Sequence, residues 1–301
     1  IINYAYQANA DGIIVTDLYL MRLAAKLPKP FEIIASTQLN IHDKSGAEFV
    51  KKCGATTVVC ARECSLKDIK SIASTGIKVE CFLHGAMCVC QSGQCLMAAM
   101  VGGNSGNRGL CAQPCRKKYF AGSGSKGYLL SAHDIHGLDT VSKLVEAGVS
   151  TFKIEGRNRR AEYAGAASQI YKKVLDNGFA YDQDDLRFLK LIYNREMQSN
   201  GYLFGENGKI VYDKCQSHTG VKIGEIRNGF VLTPVRLEKG DGLKVLKRGE
   251  EVCGGRVVES GSGRVRAKFD GSVSDGMTVC VTTSTLQCRS EERRGGKEGR
   301  S

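Results

Sequence analysis

The stretch TTVVCARECSLKDIKSIASTGIKVECFLH, residues 56–84, runs from one short apolar strand, through a polar segment, into another. The strands expected here are Thr57–Ala61 and Lys78–Leu83, and each runs directly into ionisable residues, Arg62 and Glu63 after the first and His84 after the second. Apolar strands of this kind are buried on both faces and belong to parallel sheets covered by helices. The same unit recurs outward. Gly12–Val15 leads into Thr16 and Asp17, and Glu32–Ser36 into Thr37 and Gln38. Further on, Tyr128–Ser131 precedes His133 and Asp134, and Thr151–Ile154 precedes Glu155 and Arg157.

The early units repeat every 20–25 residues, the length of a compact strand–helix unit. Leu138, Val141, Leu144 and Val145 line one helix face, as do Tyr163, Ala167, Ile170, Tyr171, Val174 and Leu175, with Gly178 at a helix-ending position. The chain opens on IINYAYQANA, already inside a helical pattern. The expectation is an α/β fold, a (β/α)8-type barrel that is N-terminally truncated by its first two units. A doubly wound sheet is the alternative. In a barrel the C-terminal strand ends form the active-site face, although Asp and Thr there also cap the following helix.

Residues 1–177 are thus expected to form the partial barrel and 178–216 a connector with one helix, Asp184–Met197. Residues 217–288 then change to short alternating strands broken by Gly, which predicts a small C-terminal antiparallel β-barrel. The strands expected there are Val221–Ile226, Phe230–Thr233, Gly242–Leu246, Arg256–Val258, Arg264–Phe269 and Met277–Thr282. Residues 289–301 (RSEERRGGKEGRS) are charged and lack apolar periodicity, and are expected to be a non-native or disordered tail.

The chain is 42% hydrophobic, enough for a large core, yet no run approaches the ~18 apolar residues of a membrane span. A formal charge of +12 favours an acidic partner, RNA included, with Arg116, Lys117, Lys118, Arg157, Arg159 and Arg160 as the denser basic spots. Thirteen cysteines, an odd number, in a chain without a leader-like opening argue against a disulfide framework and for a cytoplasmic location.

Five cysteines fall within 28 residues: Cys88, Cys90, Cys95, Cys111 and Cys115. The others are expected to be small buried hydrophobes. Gly-rich backbone between the five lets thiolates converge, and four thiolates suit Zn2+ or an iron–sulfur cluster. The wide, irregular spacing lacks the close pairs of structural zinc sites and favours a 4Fe–4S cluster, with Zn2+ as the alternative. Cys90 is expected to pack, or to replace Cys88. His84 could act as a base beside a thiol or hydrogen-bond the centre, and the sequence leaves both open. A G-x-G-x-x-G match at Gly122, Gly124 and Gly127 precedes a strand rather than opening a helix, the wrong context for a dinucleotide.

The run ECFLHGAMCVCQSGQCLMAAMVGGNSGNRGLCAQPCRKKY, residues 80–119, resembles the signature of peptidase family U-32, the collagenase-like peptidases. STQLN (36–40), ARE (61–63), KIEGR (153–157), NREMQSNGYLFGENG (194–208) and KGDGLKV (239–245) are similar to further family blocks. The resemblance implies either proteolysis of a protein substrate or an iron–sulfur protein for oxygen-independent hydroxylation. The hydroxylated molecule would be a tRNA or rRNA base or a ubiquinone precursor, with prephenate linked to the RNA members.

It also implies Cys88, Cys95 and Cys111 as cluster ligands. The fourth ligand of some members lies after the KIEGR-like block, where this chain reads AEYAGAAS, so Cys115 is the natural fourth. From strand-end position, Asp17, Gln38, Arg62 and Arg157 are expected to hold substrate, the arginines through a carboxylate. Glu63, His84 and Glu155 are expected to move protons. The leading expectation is hydroxylation of an RNA base, followed by a collagenase-like peptidase and then an RNA-binding module with structural zinc.

Overall fold

The computed structural model describes residues 1–28, 30–122, 124, 126–156, 159–197, 201–205 and 210–284 of the 301-residue chain. Arg157, Cys288 and the segment 289–301 lie outside the described residues. In chain order the elements are α1 (Ile2–Gln7), β1 (Gly12–Val15), α2 (Leu18–Ala24), β2 (Glu32–Ala35), α3 (Lys44–Lys52), β3 (Thr57–Val59), α4 (Leu66–Ala73) and β4 (Lys78–Ala86). Then follow α5 (Met97–Gly102), β5 (Tyr119–Phe120), β6 (Lys126–Gly127), β7 (Asp134–His136), α6 (Val141–Glu146), β8 (Thr151–Glu155), α7 (Ala161–Asp176) and α8 (Gln183–Ile192). The last are β9 (Val221–Arg227), β10 (Phe230–Leu237), β11 (Gly242–Lys247), β12 (Glu250–Val257), β13 (Gly261–Val265), β14 (Ala267–Phe269) and β15 (Thr278–Thr283).

The chain divides into two compact units that interleave along the sequence. The first comprises Ile1–Lys117, Ile135–Glu155 and Gln198–Val211. Its sheet runs β1-β2-β3-β4 in chain order, every neighbouring pair parallel, with β8 parallel along β4 and β7 also bonded to β4. A doubly wound sheet would reverse its order at a switch point. A sheet that follows chain order, with a helix after each of the first three strands, is instead a barrel wall. Among the described residues β1 pairs with β2 alone, so the expected barrel is a parallel half-barrel and not a closed ring.

Burial explains the strands. All three residues of β3 are buried, as are Ile33, Ala35, Val79 and Leu83 on its neighbours. Each large apolar side chain removed from water contributes ~1.5–3 kcal/mol. The helices start where short polar residues can cap them. Asp17 accepts from Leu20 N–H at 2.8 Å, Asp43 from Gly46 N–H at 2.7 Å, and Ser65 with Asp68 closes a capping box on α4. Such caps contribute about 1 kcal/mol each.

One expected strand is corrected. Tyr128–Ser131 is a turn, closed by Ser131 N–H on Tyr128 O at 2.8 Å, and the strand forms later, at β7. Its outward groups are taken by a neighbouring segment: Tyr128 N–H donates to Asp213 O and Tyr212 N–H to Ser131 O. Backbone committed there is not free to join the parallel sheet.

The second unit comprises Lys118–Asp134, Gly156–Met197 and Tyr212–Ser301. Its seven-stranded antiparallel sheet is ordered β13-β10-β9-β15-β11-β12-β14, close to the strands expected from sequence. Ile226, Val231, Val245 and Val279 are fully buried in its core. Helix α8 stops at Ile192, short of the expected Met197, because the next residues turn to partners elsewhere in this unit. Asn194 Nδ2 donates to Gly220 O at 2.9 Å, and Arg195 forms a buried ion pair with Asp134, its Nε 3.0 Å from Oδ1. Among the described residues no helix is long and apolar enough to cross a membrane.

Candidate metal centre

Parallel strands deliver their C-terminal ends to one edge, and the first unit collects its candidate residues there. Glu155 ends β8, in register with Gly85 and next to the pair His84–Ile154. Arg62, just past β3, reaches Glu155 Oε2 with Nη2 at 3.3 Å and lies over the Phe82 ring with its guanidinium carbon 4.1 Å from the centroid. Its Nε is buried and has no hydrogen-bond partner among the described residues. Gln38 follows β2 in a 3-10 turn and accepts a 3.4 Å hydrogen bond from Thr16. The Asp17 carboxylate accepts the Leu20 amide, so it works as a helix cap. His84 is 1% exposed within β4.

Glu63 does not point into open space. Its Oε1 accepts Ser92 N–H at 2.9 Å and its Oε2 accepts the Ser92 hydroxyl at 2.8 Å. The same hydroxyl accepts Arg62 N–H at 3.1 Å. Ser92 lies between Cys90 and Cys95, so residues 62 and 63 are fastened to the thiol-bearing segment.

That segment is built of turns and short helices, with Gly93, Gly103 and Gly109 at positive φ. Cys88, Cys90, Cys95, Cys111 and Cys115 are half-buried free thiols, whereas Cys53, Cys60, Cys64, Cys81, Cys215, Cys253 and Cys280 are buried. The five feel one another. Burial pushes the Cys115 thiol up, the Arg116 charge opposes this, and the charges of Cys88, Cys111 and Cys95 raise it further. Cys90 is pushed up to about 11 by burial, then by the charge and hydrogen bond of Cys95 and the charge of Cys88. Thiols that repel one another's ionisation suit a cation, which would relieve that repulsion. The donor set therefore fits a thiolate-bound metal in kind. Among the described residues no three His, Cys, Asp or Glu side chains stand in position to hold an ion.

Beside these residues lies a cavity of about 40 Å³, lined by Cys60, Cys64, Cys81, Arg62, Phe82 and Tyr202, among others. Cys60 hydrogen-bonds Cys64, which favours its thiolate, but Cys81 and burial outweigh this and hold the group protonated. Burial, with the charges of Glu63 and Cys88, raises the pKa of the Tyr202 hydroxyl, which lines the cavity.

Sequence reading gave no role to Phe82, Ser92 and Tyr202, which lie inside the quoted family blocks but carry no charge. It also read Arg116 as part of an exposed basic spot. Arg116 is 5% exposed and donates from Nη2 to Met87 O at 3.0 Å, so it braces the thiol segment from inside.

The family model for peptidase family U32 matches residues 1–213. A 178-residue stretch is 37% identical to the 23S rRNA 5-hydroxycytidine C2501 synthase of Escherichia coli, covering 57% of this chain and 27% of that protein. The tRNA hydroxylation protein P1 of Bacillus subtilis is 29% identical over 68% of this chain and 56% of its own length. A collagenase of Porphyromonas gingivalis is 29% identical over 82% and 62%. The chain thus spans less than two thirds of these curated relatives. With the family model covering the whole half-barrel and the thiol segment, the chain belongs to peptidase family U32.

Proposed function

We propose that this chain is part of an iron–sulfur protein that hydroxylates a base in tRNA or rRNA without dioxygen. The reading rests on four half-buried thiols, Cys88, Cys95, Cys111 and Cys115, the last of which feels the charges of the other three, on a segment fastened through Ser92 to Arg62. Relatives named for RNA hydroxylation match 57% and 68% of the chain. When bound through these thiolates, a 4Fe–4S cluster would supply a one-electron redox centre.

The chain's own residues would do the rest. The Arg62 guanidinium, stacked on Phe82 and with its Nε unpaired, would hold the carboxylate of a small donor such as prephenate at the cavity. Glu155 fixes the plane of that guanidinium. The surplus of basic residues would hold the RNA backbone. A cytoplasmic location belongs to the same reading.

A peptidase would need a nucleophile beside a base, with protein as its substrate. The base available on β4, His84, is 1% exposed, which leaves it little access to a peptide substrate. A structural zinc site in an RNA-binding module would use the same thiols with no donor pocket. Mass spectrometry of tRNA and rRNA from a strain lacking the gene separates these. Loss of one hydroxyl on one base, restored by the wild-type gene and not by Cys88→Ser, supports hydroxylation. RNA unchanged by the deletion overturns it.

A further inference from the structure

We propose that Glu63 is a positioning residue for the thiol segment, not a proton-transfer group. Its carboxylate clamps Ser92, and Asn107 clamps the next residue, so that the halves carrying Cys88 and Cys95 and carrying Cys111 and Cys115 are held against each other. The proposal deepens the metal reading above and rests on it for its purpose, although the clamp itself is a matter of backbone geometry.

The Ser92–Gly93 turn is fastened from three sides. From one, both Glu63 oxygens accept from Ser92, at 2.9 Å from its N–H and 2.8 Å from its hydroxyl. Ser92 is 3% exposed and Glu63 half-buried, and these are part-buried, charge-assisted bonds, stronger than neutral ones. From behind, the turn presses on Gln38: a Cβ built on Gly93 would stand 2.0 Å from Gln38 O, and Gly93 has φ +74. From the far half, Asn107 Nδ2 donates to Gly93 O at 2.8 Å. The turn can neither slide along Gln38 nor rotate without breaking one of these hydrogen bonds.

The chemistry of the carboxylate agrees. A general base needs a lone pair aimed at substrate, and both Glu63 oxygens are instead turned to one residue, Ser92, each accepting one bond from it. The Ser92 hydroxyl accepts from Arg62 N–H and donates its one proton to Glu63, so its donor is committed to the clamp. In Glu63→Gln one of those oxygens becomes an NH2. The one remaining acceptor can serve either Ser92 N–H or the Ser92 hydroxyl, so one of the two clamp bonds is lost and that donor faces an NH2.

The test uses the full chain, reduced and metal-free under anaerobic conditions, with Cd2+ as the probe. Thiolate-to-cadmium absorbance, read in competition with a chelator, gives affinity. Loss of an outer-shell partner of this kind weakens metal binding about 10–100-fold. Glu63→Gln and Ser92→Ala are each expected to do so while the protein stays folded by circular dichroism. The double variant is expected to be no weaker than either single one, because both remove the same clamp. A merely structural role would lower the melting temperature and leave the affinity of the folded protein unmoved.

A second readout needs no metal: alkylation of Cys88 and Cys95, followed by peptide mass spectrometry, is expected to speed up in Glu63→Gln while that of Cys253 does not. Wild-type cadmium affinity and wild-type alkylation in the folded variants would overturn the proposal. If the wild-type chain binds no cadmium yet alkylation responds to Glu63→Gln, the clamp stands and the metal reading fails.

Discussion

Arg62 lies over Phe82, its guanidinium carbon 4.1 Å from the ring centroid, and extends one nitrogen to Glu155. The stack orients a planar fork whose Nε is left without a protein acceptor. Lysine would keep the charge and lose the fork. Arg62→Lys is therefore expected to raise the KM for a carboxylate donor about 10–100-fold, the loss of a charged hydrogen bond of roughly 1.5–3 kcal/mol, with little change in melting temperature. Steady-state hydroxylation with varied donor checks this. An unchanged KM would remove Arg62 from the donor site.

The Asp134–Arg195 pair is an anchor of the second unit, and both side chains are under 5% exposed. Removing one partner leaves a buried charge uncompensated, at a cost of about 3–5 kcal/mol. Asp134→Ala should lower the unfolding free energy from urea melts by that amount, and Asp134→Leu with Arg195→Met should recover much of it. Equal losses in the single and double variants would contradict a buried pair.

Gly93 and Gly103 both have positive φ, but a Cβ meets Gln38 O at 2.0 Å in the first and nothing within 4 Å in the second. Either alanine variant carries the backbone strain of roughly 1–3 kcal/mol. Only Gly93→Ala adds the clash, a further ~1–3 kcal/mol of overpacking. Chemical denaturation should rank Gly93→Ala as the more destabilised of the two.

His218 gives the second unit its acid sensitivity. Its Nδ1 accepts Asn194 N–H at 2.9 Å and its Nε2 faces Leu191 O at 3.0 Å, with Tyr193 stacked 4.9 Å away. Burial holds its pKa below the ordinary 6.5, against the pull of the carbonyls. Below pH 6.5 the unfolded chain gains a proton that the folded chain refuses, so stability is full above that value and falls as pH drops through the folded pKa. Urea melts from pH 8 to pH 5 should show this decline, and His218→Gln should flatten it.

The sequence made the half-barrel legible because parallel strands buried on both faces leave an apolar run that ends abruptly in polar residues, as at Val59 and Glu155. Closure was not legible, since it depends on which edges meet. Tyr128–Ser131 reads as a strand by composition, but its backbone is taken by Tyr212 and Asp213. The thiol set was legible from its density along the chain. The clamp was not: Glu63 and Ser92 are 29 residues apart, and a serine in a loop carries no pattern. Arg116 misled because charge predicts exposure until a carbonyl such as Met87 O is found to satisfy it.

The most direct test of the metal reading is iron analysis of the full chain purified without oxygen, alongside variants with Ser at 88, 95, 111 and 115. The account predicts brown protein with about four irons per chain, lost on replacing Cys88, Cys95 or Cys111. Colourless wild-type protein without iron, or iron retained when all four thiols are gone, would contradict it.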